Sequence, residues 1–94
     1  MYKLEIMKAA QYDYKDILEY LSQFYESTPK KFTEELNKFY DILEESPYAF
    51  MVYEPNTQYR RMVVADYLVF YKVFEETKRV EIHRILHGAR NIVI

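Results

Sequence analysis

Two histidines, His83 and His87, and five cations, Arg60, Arg61, Lys72, Arg84 and Arg90, are the side chains whose types and spacing could do chemistry in this chain. Arginine grips phosphate or carboxylate through a planar fork of donors, so the cluster suits RNA, DNA or an acidic peptide. Ordinary edge solvation and ion pairs to Glu75, Glu76 and Glu81 would use the same side chains without any ligand. His83 and His87 stand four residues apart in an alternating segment. On a strand that separation is about 13 Å, too far for two imidazoles to share one ion. With no cysteine in the chain, no metal site is expected. His83 reads as a satisfied strand residue, whereas His87, beside Gly88 and Arg90, can reach a cleft rim. Gly88 is the single glycine. Phosphate-cradling loops of the Walker or dinucleotide type need several glycines at fixed spacing, so no nucleotide cofactor is expected either.

The elements that must position these residues follow from periodicity. Met1 to Met7 alternates, with Tyr2, Leu4 and Ile6 on one side, and reads as a strand. Ala10, Tyr14, Ile17, Leu18, Leu21, Phe24 and Tyr25 then recur at helical spacing, predicting a helix of about five turns whose outward face carries Asp13 and Asp16. Thr28 can cap a second helix, with Pro29 at its first position and Phe32, Leu36, Phe39, Tyr40 and Leu43 as its apolar stripe. The short link predicts an antiparallel helical hairpin. Residues 47 to 58 hold no period and read as a connecting loop. Three strands follow, Tyr59 to Val64, Tyr67 to Phe74 and Arg79 to His87, with connections too short for anything but antiparallel neighbours. The expected fold is α+β in two layers, an antiparallel sheet of about four strands backed on one face by the hairpin, in the order β-α-α-β-β-β. The uncovered face is left for water or a target. Adjacent strand residues point to opposite faces, so at most one of Arg60 and Arg61 can lie there.

Ninety-four residues make one domain, 1–94, with a thin core; half of them are apolar and 18 % aromatic. The tyrosines at periodic positions, Tyr14, Tyr25, Tyr40, Tyr67 and Tyr71, are expected to fill that core with their hydroxyls kept wet. No apolar run approaches the roughly 20 residues of a membrane span. The first ten residues lack the apolar stretch of a secretion signal, so the start reads as that of a mature chain. The lack of cysteine also excludes a disulfide framework and a thiol nucleophile, and fits a cytoplasmic location. The net charge of −2 hides a division: residues 1–56 carry −5 and residues 57–94 carry +3. Such asymmetry can mark a half that meets a polyanion or an acidic partner.

Tyr59-Arg60-Arg61-Met62, Asp66-Tyr67-Leu68-Val69-Phe70-Tyr71-Lys72-Val73 and Val80-Glu81-Ile82-His83-Arg84-Ile85-Leu86-His87-Gly88-Ala89-Arg90-Asn91 together resemble the RelE/ParE superfamily of type II toxin–antitoxin toxins. The resemblance extends to the strand order and the two-helix insert. It implies a small toxin masked by the partly disordered tail of a cognate antitoxin, in a hetero-oligomer that needs no cofactor. It also implies one of two mechanisms, inhibition of DNA gyrase by binding, as in the ParE-like branch, or metal-independent cleavage of mRNA on the ribosome, as in the RelE-like branch. Under the second the chain is an enzyme, with Arg61, His87 and Arg90 as a reduced catalytic site. Under either, Arg60, Arg61, Lys72, Arg84 and Arg90 would meet the target or its phosphates. A further alternative is a degenerate member that only binds its antitoxin. Two departures lean toward the ParE-like branch. Leu68 stands where RelE-like nucleases often carry an arginine, and the chain ends Asn91-Ile92-Val93-Ile94 without their closing tyrosine. A net −2 also supplies little long-range attraction to ribosomal RNA.

Overall fold

In the computed structural model, which describes residues 1–89, 92 and 94, the chain runs β1 (Lys3–Ile6), α1 (Lys8–Leu21), α2 (Ser27–Glu45), β2 (Met51–Val52), β3 (Arg60–Val64), β4 (Tyr67–Phe74) and β5 (Arg79–His87). The α+β, two-layer expectation holds. The sheet differs in two respects: it has five strands in the order β1-β5-β4-β3-β2, and β1 runs parallel to β5. A two-residue strand inside a non-periodic segment leaves no period to see, which is why β2 was expected as loop. β1 and β2 form opposite edges of the sheet, so α1 and α2 together cross one face from edge to edge. That long excursion is what a parallel edge strand requires.

Helix α1 ends a turn earlier than its apolar spacing implies. The N–H groups of Gln23 and Phe24 bond back to the carbonyls of Tyr20 and Leu21 in a tightened last turn, and the chain reverses into α2 at once. Phe24 and Tyr25 are left exposed. α2 starts at Ser27 rather than after Thr28, with no side-chain cap, and Pro29 sits in the first turn, where its missing N–H has no helical partner to lose.

The core lies between the helices and one face of the sheet. Ala10, Ile17, Phe32, Leu36 and Leu43 meet Met62, Val64, Tyr67, Val69, Tyr71, Val80, Ile82 and Ile85. Tyr71 is fully buried and donates its hydroxyl to Pro47 O at 2.8 Å, with burial pushing its pKa up to about 12. Alternation on β4 is regular. On β5 it is not, because the β4–β5 register slips by one residue between Phe70/Tyr71, with Phe70 opposite Arg84 and Tyr71 opposite Ile82. The bulge reverses the facing of everything after it: Ile82 and Ile85, three residues apart, are both in the core.

At the far end of β5 the fold explains its single glycine. The Gly88 N–H donates to Asp66 O at 2.8 Å, and a Cβ on Gly88 would lie 3.2 Å from that oxygen. Close approach to the β3–β4 turn, rather than an unusual φ, is the constraint.

Candidate functional site

The uncovered face is divided. Its upper part is apolar: Phe70 is fully buried there, with the Tyr53 ring edge-on at 4.9 Å, and Leu86 is nearly buried. The carbonyl of Ile94 accepts from the Asn56 side chain at 3.2 Å. The lower part is polar. Extending the β3–β4 pairing by one residue brings Tyr59 beside Lys72, and Lys72 pairs with Glu81 across β5. These three, with His83, share the face opposite the core.

Here the side chains are linked. Tyr59 Oη lies 3.4 Å from His83 Nδ1, and His83 Nε2 lies 3.0 Å from Glu81 Oε1. With the neutral imidazole protonated on Nε2, the hydroxyl donates to Nδ1 and the ring donates to the carboxylate. Arg79 donates to the second Glu81 oxygen at 3.0 Å. The hydrogen bond from His83, followed by that from Arg79, holds the Glu81 carboxyl below the usual carboxylate range. Lys72 Nζ stands 4.7 Å above the Tyr59 ring and 3.4 Å from the Gln58 side chain. A hydroxyl, an imidazole, a carboxylate and an ammonium thus converge on one patch of sheet.

The cations expected at the target surface are distributed unequally. Arg61 and Lys72 lie on the uncovered face. Arg60 does not: its guanidinium donates to Phe50 O at 2.8 Å and lies 5.0 Å from the Tyr48 ring, closing the end of the core beneath the α2–β2 connection. Arg84 turns around the sheet edge. Its Nε and Nη2 donate to the two carboxylate oxygens of Asp13 at 2.7 and 3.0 Å, and the Ile85 N–H donates to the same carboxylate at 2.9 Å. β1 stops pairing at Ile82, so beyond it the β5 edge is open, and Asp13 of α1 supplies the acceptor the missing strand would have given. Asp13, expected on the outward face of its helix, therefore turns toward the sheet. Hydrogen bonding to it raises the Arg84 pKa above its ordinary value. Arg90 lies outside the described residues.

His87 is parted from Arg61. Strict alternation from Ile82 would set His87 on the uncovered face; the bulge turns it to the helix side, where its ring meets Tyr67 edge-on at 5.2 Å and its Nδ1 accepts the Ala89 N–H at 3.1 Å. The expected pairing of Arg61 with His87 in one site is corrected by that one-residue slip. Conversely, Tyr59 and Glu81 join the patch although neither is expected among the site residues, Glu81 being expected only as an ion-pair partner of the cations. Glu81 and His83 are readable as an i, i+2 pair on one strand face, but nothing in the sequence brings Tyr59 to them.

Among the described residues no group of three His, Asp or Glu side chains is arranged to hold a metal ion, and no helix is long and apolar enough to cross a membrane.

Residues 4–92 match the family described as the ParE toxin of the type II toxin–antitoxin system parDE. The chain belongs to that family. It is a type II toxin–antitoxin toxin of the RelE/ParE superfamily, and solved structures agree in fold. The chromosomal ParDE system from P. aeruginosa superposes with a TM-score of 0.75 at 17 % identity, covering 93 % of this chain and 96 % of that one. The archaeal RelE–RelB complex from Pyrococcus horikoshii OT3 gives 0.65 at 25 % identity, over 95 % and 97 %. The intact E. coli RelBE toxin–antitoxin complex gives 0.62 at 16 %, over 96 % and 100 %. No curated protein matches in sequence.

Proposed function

We propose that this toxin acts by binding DNA gyrase, in the ParE-like manner, and is silenced by a cognate antitoxin. The observation that carries the reading is the use of its arginines. A metal-free nuclease must hold a phosphorane dianion with unengaged cations while a base takes the 2′-hydroxyl proton and an acid supplies the leaving 5′-oxygen. Here Arg84 is spent on Asp13, Arg60 on Phe50 O and Arg79 on Glu81. Among the described residues Arg61 and Lys72 are left to face outward, enough to anchor an acidic or phosphate-bearing surface but a sparse set for phosphoryl chemistry. Purified toxin should inhibit gyrase supercoiling at micromolar concentration while leaving ribosome-bound mRNA intact. Normal supercoiling at that concentration would refute the reading.

A second reading keeps one specific support, the Tyr59–His83–Glu81 chain. Oriented by Glu81, His83 could take the 2′-hydroxyl proton through the Tyr59 hydroxyl as the 2′-oxygen attacks phosphorus. The Lys72 ammonium on the same face would give a proton to the departing 5′-oxygen, leaving a 2′,3′-cyclic phosphate and a 5′-hydroxyl. It predicts that H83A abolishes codon-specific cleavage.

The antitoxin reading is supported by a groove of about 520 Å³ between α1, α2 and β1, walled by Tyr14, Leu36 and Tyr40. The Tyr40 hydroxyl is buried without a partner among the described residues, and burial raises its pKa. An amphipathic antitoxin helix laid in the groove would cover the apolar wall and could offer that hydroxyl an acceptor. Along the opposite edge, β2 presents exposed Met51 and a strand side with no neighbour among the described residues, suited to strand addition. Co-expression with a small antitoxin-like reading frame, where one lies beside the gene, followed by co-purification, tests the partnership.

A further inference from the structure

On the other side of α1 from that groove is a cavity of about 330 Å³, separate from both the uncovered sheet face and the antitoxin groove. Asp13, Asp16, Ile17 and Tyr20, at helical spacing i, i+3, i+4 and i+7, form one wall, and the ends of β4 and β5 form the other with Tyr67, Ile85 and His87. Its chemistry is uneven in an informative way. The floor, Ile17 and Ile85, is apolar and buried. Asp13 is already committed to Arg84 and the Ile85 N–H. Asp16 is exposed at the rim and makes no ion pair or hydrogen bond among the described residues. Tyr20 stands beside it about half exposed, braced edge-on at 5.2 Å by the equally exposed Phe24.

An aromatic wall, an apolar floor and one unengaged carboxylate select a planar cation on an aliphatic stem. The stem gains apolar contact, the guanidinium stacks on tyrosine, and its fork meets the carboxylate. An anion would face the unengaged Asp16 carboxylate on the α1 wall. The fold already makes this pairing once, a turn earlier on α1, where Arg84 grips Asp13 with two donors. We propose that the cavity is an arginine-recognition pocket, receiving the side chain of an arginine presented by a partner polypeptide, with Asp16 as its carboxylate and Tyr20 and Tyr67 as its walls. The pocket is independent of whether the toxin acts on gyrase or on mRNA.

The test is an NMR titration of the purified toxin with N-acetyl-arginine amide, run in parallel with the citrulline amide, its neutral near-isostere, and the lysine amide. One side chain of this size should bind with a Kd on the order of millimolar. Saturable shifts are expected in the amides of residues 13–20 and 85–87. The citrulline compound should bind about tenfold more weakly, the loss of one charge-assisted interaction. Asp16→Asn, an exposed substitution whose spectrum reports that the fold is intact, should weaken arginine binding by about the same factor. Lack of saturable shifts, equal binding of citrulline, or full binding by Asp16→Asn would each overturn the pocket. Lysine binding as tightly as arginine would overturn the assignment of a planar cation.

Discussion

Arg84 and Arg61 both come from the basic half of the chain, and the fold treats them oppositely. Arg84 stands where β5 loses its neighbour, and it is drawn around the sheet edge into a two-donor grip on Asp13. Arg61 stands on β3, flanked by strands on both sides, and projects from the uncovered face with no ion pair among the described residues. One region spends its charge on holding helix to sheet. The other keeps Arg61, Lys72 and the Tyr59–His83–Glu81 chain turned outward. A count of cations therefore overstates what a target can meet, because an arginine beside an unpaired strand edge or a buried end finds its partner inside the protein.

The largest expected effect separates the two regions by function. Arg61→Ala with Lys72→Ala should weaken target inhibition by about a hundredfold, two charge-assisted contacts, with thermal stability unchanged. A titration of supercoiling inhibition together with a melting curve checks both halves. Asp13→Ala should do the reverse, costing about 2 kcal/mol by orphaning the Ile85 N–H and the Arg84 guanidinium. That would lower Tm by about 10 °C in a chain of this size. Retained stability in this variant would erase the distinction. At the same end of the sheet, Gly88→Ala forces a Cβ toward Asp66 O and should cost about 1 kcal/mol, measurable by urea unfolding.

The smallest effect concerns a third cluster, in which Glu75 accepts from Lys78, Tyr2 and Tyr48. Those hydrogen bonds, that from Lys78 foremost, hold the Glu75 carboxyl down to about 2 against an ordinary 4.5. A carboxyl depressed in the folded state contributes stability above its unfolded value, and the contribution is lost as pH falls from about 4.5 toward 2. Glu75→Gln should flatten stability against pH in that window. Because the cluster lies in solvent, added salt should shrink the effect.

Much of this was legible in sequence. Tyr67–Phe74 and Arg79–His87 have the bounds their β-branched and aromatic content implies, and the stripes of both helices meet the sheet as their spacing requires. What escaped were long-range contacts and phase shifts. Asp13 and Arg84 are 71 residues apart, and the carboxylate looks like one more solvated charge until β1 is known to stop at Ile82. The β5 bulge carries no glycine or proline to announce it, yet it alone moves His87 to the helix side. The pairing of Tyr59 with His83 depends on register across three strands, which no local pattern encodes.

The most direct test of the central claim is plasmid supercoiling by purified gyrase with added toxin, read beside the integrity of mRNA on translating ribosomes. Wild-type toxin and H83A should inhibit supercoiling alike and leave the mRNA whole, whereas the Arg61→Ala, Lys72→Ala double variant should do neither harm. Unimpeded supercoiling with cleaved mRNA, abolished by H83A, would contradict the account.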